Sequence, residues 1–441
     1  SNSRAPWVVR LRYAYADTLE AAGRESDALA WFHRTHAIDS DELTGSAGRA
    51  ERLTVSGREV TLGTGMVALD GFGGVAIEGR ERVIGKGVGG VRAPGDLTIR
   101  AGALTAESGA SLTLDAAGAV TLASLAAPNL ARFETLGATI DITGSSIRQG
   151  GVLDLAAGNV NLRARQGDVV LEAGSRIDVT GDVSTIFDRS TPANAGSVGL
   201  TSDRGDVIVS TGSSIDLSGA PEGGAAGTLR VRVPLGSGDL LGVVLASAAQ
   251  GERGGAFELD ALALSDFSGL GSLLNQAGFD YSRRFKIAQG DVVVSGDTRV
   301  QNFSLAANGG SITVTGAVQT TGRNGGSIRL SAAENLTLAS TGQLIATGSN
   351  GGSGGSVILE TAGANGGAVD VLAGSLIDVS GQGAGGRTVR IRAPQIGADM
   401  AIDRLDGRIV GARSVLAEAY RGYDDVETID QGVIDQVSGD A

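Results

Sequence analysis

The sequence predicts an all-β fold, a right-handed parallel β-helix of three-strand coils with a short amino-terminal helical pair and one helical insertion. Three observations lead there. The first is the stretch from Ala195 to Gly219, AGSVGLTSDRGDVIVSTGSSIDLSG, which holds three alternating pieces: Ser197-Val198-Gly199-Leu200, Asp206-Val207-Ile208-Val209 and Ser214-Ile215-Asp216-Leu217. They start nine and then eight residues apart, and the second and fourth residue of each is apolar. Val198/Leu200, Val207/Val209 and Ile215/Leu217 therefore share one face of short strands, and polar corners separate them. The second observation is repetition: 159–162, 168–171 and 176–179 carry the same spacing, and 327–330, 335–338 and 343–346 carry it at eight and eight. A further set at 356–359, 368–371 and 376–379 has a Gly-Ala-Asn insertion at one corner. Self-similarity at a fixed period marks a solenoid, in which each repeat buries its apolar face only by stacking on its neighbours. The third is composition: 71 glycines and 7 prolines suit a chain that turns a corner every eight or nine residues. Disorder would also enrich Gly, Ser and Asp, but Val, Ile and Leu would not then recur in register.

Taken in order, residues 1–44 stand outside the repeat. Val8 to Ala37 reads as two helices broken at Gly23, with Val9, Tyr13, Ala16 and Leu19 on the first and Ala28, Trp31 and Phe32 on the second. Ala16, Leu19, Gly23, Ala28 and Phe32 resemble a single tetratricopeptide unit, with Ser40 where the usual proline would stand. One such unit cannot bury its own face, so it caps the solenoid or belongs to another helical module. The β-helix occupies 45–234, opening with Arg52-Leu53-Thr54-Val55 and Val60-Thr61-Leu62 and a less regular stretch at 71–90. Residues 235–288 are read as an insertion, with one short helix within 262–279 from the spacing of Leu264, Phe267, Leu270, Leu273 and Leu274. Coils resume at Asp291-Val292-Val293-Val294 and run through 289–424, and 425–441 reads as a polar tail. Roughly ten coils at ~4.8 Å per strand give a length of ~50 Å.

Composition excludes several classes of function. With no cysteine, neither a disulfide scaffold nor a thiolate metal site is available, and an exported protein that crosses a membrane unfolded is compatible. A formal charge of −13 argues against nucleic acid and anionic lipid as partners. No apolar run approaches the ~20 residues of a membrane span, so no membrane insertion is expected. The only histidines, His33 and His36, lie one helical turn apart, and two ligands do not make a structural zinc site. Lysine occurs only at Lys86 and Lys286, neither within a catalytic motif. No nucleophile and base pair can be assembled in the solenoid, so any catalysis would use carboxylates or arginine. No cofactor and no metal is expected.

Two constellations remain. Asp178 and Asp216 occupy one position in successive coils, with Asp141 and Asp378 at the equivalent position in others. Stacking at ~4.8 Å would let such a carboxylate ladder hold a cation or raise one pKa for acid/base work. The competing account is local hydrogen bonding beside a Ser-Gly or Thr-Gly corner. Arg204-Gly205-Asp206 is an RGD tripeptide at a predicted corner, where a cell-surface receptor could reach it; the competing account is a bare corner.

The repeated G-S-x-I-D-[VL]-[ST]-G at 174–181, 212–219 and 374–381, the Gly-Gly-Ser corners at 325–327 and 354–356, and the segments ERVIGKGVGG, FELDALALSDFSGL and IRAPQIGADMAIDRLDGRIVGA resemble the filamentous haemagglutinin family of large bacterial exoproteins. The resemblance covers roughly residues 48–423. It implies an adhesive rod, exported through an outer-membrane partner by two-partner secretion and displayed on or released from a Gram-negative cell. Ala127-Pro128-Asn129-Leu130 does not copy the Asn-Pro-Asn motifs of that family's secretion domain, so the chain reads as an interior or carboxyl-proximal part of the rod. The expected function is structural and adhesive, with a host-cell or matrix glycan or protein as ligand and no enzymatic activity. Two other readings stay open: a polysaccharide lyase or glycoside hydrolase on the same scaffold, and a passive stalk for a distal effector. Aromatic content of 4% disfavours the enzyme, since sugar-binding grooves commonly use aromatic platforms.

Overall fold

Alternation of one apolar and one outward residue over three to six positions, bounded by Gly, Ser and Asp, makes each predicted piece a strand with a single buried face. In a computed structural model of the chain, which describes residues 50–125, 136–186, 189–383, 385–421, 428 and 430–439, that is what the pieces form. Among the described residues strand accounts for 53% and helix for 5%, and the sheets are overwhelmingly parallel, which places the fold among all-β proteins. The expected helical pair at 1–44, with His33 and His36, lies outside the described residues. The chain divides into two compact units, one of residues 1–288 with 298–302 and one of 289–297 with 303–441.

In the first unit, corresponding strands of successive sequence repeats pair with one another and build parallel ladders. Ser197–Ser202 lies between Asn159–Ala164 and Thr228–Val233 in a first ladder. Val207–Val209 lies between Val169–Leu171 and Gly238–Leu240 in a second. Ser214–Asp216 lies between Arg176–Asp178 and Val243–Leu245 in a third. The register is residue on residue, so apolar residues stack on apolar residues. Val198, Leu200, Val207, Val209, Ile215 and Leu217 are all 0% exposed, and so are their partners Val160, Val169, Leu171 and Ile177. The second unit repeats the scheme: Ser327–Ala332, Ser356–Thr361 and Thr388–Ile396 stack in one ladder, Ile312–Val314, Leu336–Leu338 and Val369–Val371 in a second, and Ala317–Gln319, Gln343–Ile345 and Leu376–Asp378 in a third.

Three expectations change. The opening strands at 52–55 and 60–62, and the stretch at 71–90, are long bent strands, Ala50–Leu62 and Phe72–Gly85. Their register shifts between Gly57 and Glu59 and between Gly79 and Arg82, so a bulge bends the strand where other repeats use a corner. The interruption expected over 235–288 is narrower: Gly238–Leu240, Val243–Leu245, Ala256–Ala261 and Ser282–Ile287 all remain in the ladders. Gly238 and the outward Val243 and Leu245 break the apolar alternation there and hide these strands from a pattern search. Within the tail expected at 425–441, Gln431–Gly439 is a short helix.

The true excursion contains helix α1, Phe267–Ala277. Asp266 caps it, its carboxylate accepting the Gly269 amide at 2.8 Å, and Gly278 at φ 89° ends it in the left-handed conformation that suits glycine. Phe267 and Leu274 face the core, where Phe267 packs on Phe285 with ring centroids 5.3 Å apart. Arg283 stands at an inward position opposite Phe257 and is 1% exposed. Its guanidinium donates to the carbonyls of Phe279 (2.8 Å), Arg299 (3.1 Å) and Gly271 (3.4 Å), and to Asn275 Oδ1 (2.8 Å). Burial pulls its pKa down to about 10, against an opposing pull from Asp280, so the group is still cationic at neutral pH. A buried charge satisfied by carbonyls pins α1, the following turn and Arg299 to one another.

Two outcomes follow for stability. Val207→Asp puts a carboxylate into the apolar column and should open several strand triplets to protease, whereas Asp216→Ala should cost about 1 kcal/mol; equal protease resistance of the two variants would contradict this. Arg283→Met should lose ~3 kcal/mol by leaving buried carbonyls unpaired. Amide exchange should then rise first across 262–302.

Candidate functional site

The RGD tripeptide sits where the chain turns from the first ladder into the second. Gly205 is required by close approach: a Cβ there would lie 2.3 Å from Asp168 Oδ1 and 2.7 Å from the Gly167 carbonyl carbon of the turn beneath. The Asp206 amide donates to that same Asp168 Oδ1 at 2.8 Å. The Asp206 carboxylate in turn accepts the Ser237 amide of the next turn at 2.6 Å and its hydroxyl at 3.2 Å. Asp96 holds the Ala119 amide in the same way at 2.8 Å. In the second unit Asp291 holds Ser311 at 2.8 Å and Asn335 holds Ala368 at 3.0 Å. Gly-Asp is thus a corner device that recurs at 95–96, 167–168, 205–206 and 290–291. Arg204 alone of the tripeptide is exposed at the surface.

The carboxylates separate into two groups. Asp178 and Asp216 are register partners in the third ladder, and Asp378 holds the corresponding position in the second unit. Each turns an oxygen onto the amide two residues on: Asp178 onto Thr180 at 3.0 Å, Asp216 onto Ser218 at 3.0 Å and Asp378 onto Ser380 at 2.9 Å. Asp178, 4% exposed, also accepts the Thr180 hydroxyl at 2.7 Å and pairs with Arg176. Asp141 does not belong with them. It lies in the first ladder between Thr113 and Asn161 and accepts the Asn161 amide group at 2.7 Å. Its Ile-Asp-Ile-Thr-Gly matches the others locally, but it lacks the preceding Gly-Ser turn that introduces the third ladder. Asp154 was missed by the sequence reading and stands in register beneath Asp178. The Asp-x-Ser/Thr spacing that signals the local bond is absent there, since Ala156 follows. Among the described residues no group of three or more His, Cys, Asp or Glu is placed to hold a metal ion.

The outward face of the first ladder carries a second arrangement that four-residue pieces do not reveal in full, because one of its two columns uses the fifth position of six-residue strands. In one column Arg163, Thr201, Arg232, Asp260 and Lys286 follow each other in register. Beside it run Gly199, Arg230, Glu258 and Arg284. Arg230 Nε reaches Glu258 at 3.1 Å, while Arg232 Nε and Lys286 Nζ flank Asp260 at 3.7 Å each. Arg163 forks onto Asp203 at 2.9 and 3.1 Å. Lys86, at the other end of the unit, pairs with Glu107 at 3.4 Å.

Comparison with known proteins finds no matching family model, no matching curated protein and no matching solved structure.

The corner predicts a graded response in urea denaturation. Gly205→Ala should cost ~2 kcal/mol through overpacking against the turn below, and Asp206→Ala about 1 kcal/mol through the loss of its bond to Ser237. Arg204→Ala should stay within ~0.5 kcal/mol of the parent. Three coincident midpoints would remove the structural role assigned to Gly205 and Asp206.

Proposed function

We propose that the chain is a right-handed parallel β-helix that serves as a structural and adhesive segment of a secreted or surface-displayed bacterial exoprotein, akin to the filamentous haemagglutinins that its Gly-Ser-x-Ile-Asp repeats resemble. The observation that carries the reading is the residue-on-residue stacking of strand triplets, with apolar columns inside and rows of charged and hydroxyl side chains outside. Such stacking fills the interior with apolar side chains and leaves the outward faces as the parts available to a ligand. An outer-membrane secretion partner for the full-length protein and a host-cell or matrix ligand belong to the same proposal.

A carbohydrate-active enzyme on this scaffold would draw on Asp154, Asp178 and Asp216. The Asx-type bonds of Asp178 and Asp216 count against it, because each directs a carboxylate oxygen at the chain's own amides. The RGD corner contributes to adhesion only through Arg204, since Asp206 serves the next turn.

The test places the purified chain on a panel of polysaccharides and matrix proteins and records retained binding and newly released sugar ends together, beside an Asp178→Ala/Asp216→Ala variant. Retention without release, equal in parent and variant, is the expected result. Release that vanishes in the variant would make the chain an enzyme, and an empty panel would leave a passive stalk.

A further inference from the structure

We propose that the outward face formed by Arg230, Arg232, Arg284 and Lys286 binds an acidic polysaccharide that carries one carboxylate per disaccharide. The inference rests on the adhesive reading and names its ligand class.

Spacing is the first argument. Parallel strands place like positions ~4.8 Å apart, so cations on alternate strands recur at ~9.6 Å. Arg230 and Arg284 recur in that way with Glu258 between them, and Arg232 and Lys286 do so with Asp260 between them. The second column extends by the same step to Arg163 with Thr201 between. An extended glycan of alternating uronate and neutral sugar presents its carboxylates at a comparable interval, so each charge meets a cation and each neutral sugar meets an acceptor.

Accessibility is the second. The side chains of Arg230, Arg232 and Lys286 are 55%, 61% and 57% exposed despite their ion pairs. Arg230 and Arg232 are paired through Nε, which leaves the terminal nitrogens of each guanidinium outside that bond, the edge suited to a bidentate carboxylate. Arg284 is exposed and has no ion-pair partner among the described residues.

Selectivity is the third. Glu258 and Asp260 stand midway between the cations, where they accept hydrogen bonds from sugar hydroxyls and repel any polymer charged at every unit. A heparin chain or a nucleic acid would bring anions against both carboxylates, whereas a sparsely charged uronate polymer would not. The chain as a whole carries a formal −13, so this cation-rich face stands out locally against a net acidic background.

The experiment measures binding of fluorescent hyaluronan decasaccharide, heparin decasaccharide, duplex DNA and neutral dextran to the intact chain at low and physiological salt. Hyaluronan should bind more tightly than the other three, with affinity falling as salt rises. Arg230→Ser/Arg284→Ser should weaken it about tenfold or more. Glu258→Gln/Asp260→Asn should move preference toward heparin. Should the double arginine variant melt early, Arg284→Gln, which has no ion pair to lose, replaces it with the same expected direction. Equal or tighter binding of heparin or DNA to the parent would overturn the proposal, as would hyaluronan binding indifferent to the arginine variants. Retention of matrix proteins or other glycans without hyaluronan would overturn this inference and leave the adhesive reading standing, and no retention of any kind would overturn both.

Discussion

Residue-on-residue pairing of parallel strands is the constraint from which the rest of the structure descends. Where corresponding strands stack with no offset, a column carries one environment from strand to strand. Val160, Val198 and Leu229 are buried one on another in this way, whereas Val415, the register partner of buried Val389, is 48% exposed. A side chain that leans on its neighbour in one turn does so in the next, as Asp168 and Asp206 do. Hydrophobic burial inside the ladders and side-chain bonds at the corners therefore act along the same axis, and neither is complete within a single triplet.

Most of the fold could be read from the amino acids because period-two alternation is a strong signal when it repeats. The strands at 159–217 and 327–379 lie where the alternation puts them. Legibility failed where the signal was local or composite. Gly57 and Gly79 bend long strands through bulges, and a bulge looks like a corner in sequence. Gly238 and Val243 sit in the ladders but carry the wrong residue for their face. The inward Arg283 would be read as an outward residue by any pattern search, since only the carbonyls of α1, the following turn and Arg299 make its burial tolerable.

The candidate sites show the same division. Asp178, Asp216 and Asp378 were legible as equivalent positions, and the Ser or Thr two residues on carried the clue to their local bonds. Asp141 shares the short motif yet belongs to another ladder, because ladder membership depends on which corner precedes the strand. The Gly-Asp corner hid inside a tripeptide better known as a recognition motif, and its structural meaning appears only when Gly95-Asp96, Gly167-Asp168 and Gly290-Asp291 are set beside it. The alternating cations needed the pairing of three to five strands before their interval could be seen.

The hairpin formed by Val183–Ile186 and Arg189–Pro192 leaves one corner and comes back to it, and the Ala193 amide closes the gap on the Asp182 carbonyl at 2.8 Å. The stack above and below keeps its register across that detour: Asp178 still lies on Asp216, and Asn159 on Ser197. Insertion length is thereby uncoupled from the scaffold. Duplication, deletion or grafting of such a hairpin changes what the surface displays without renegotiating the interior.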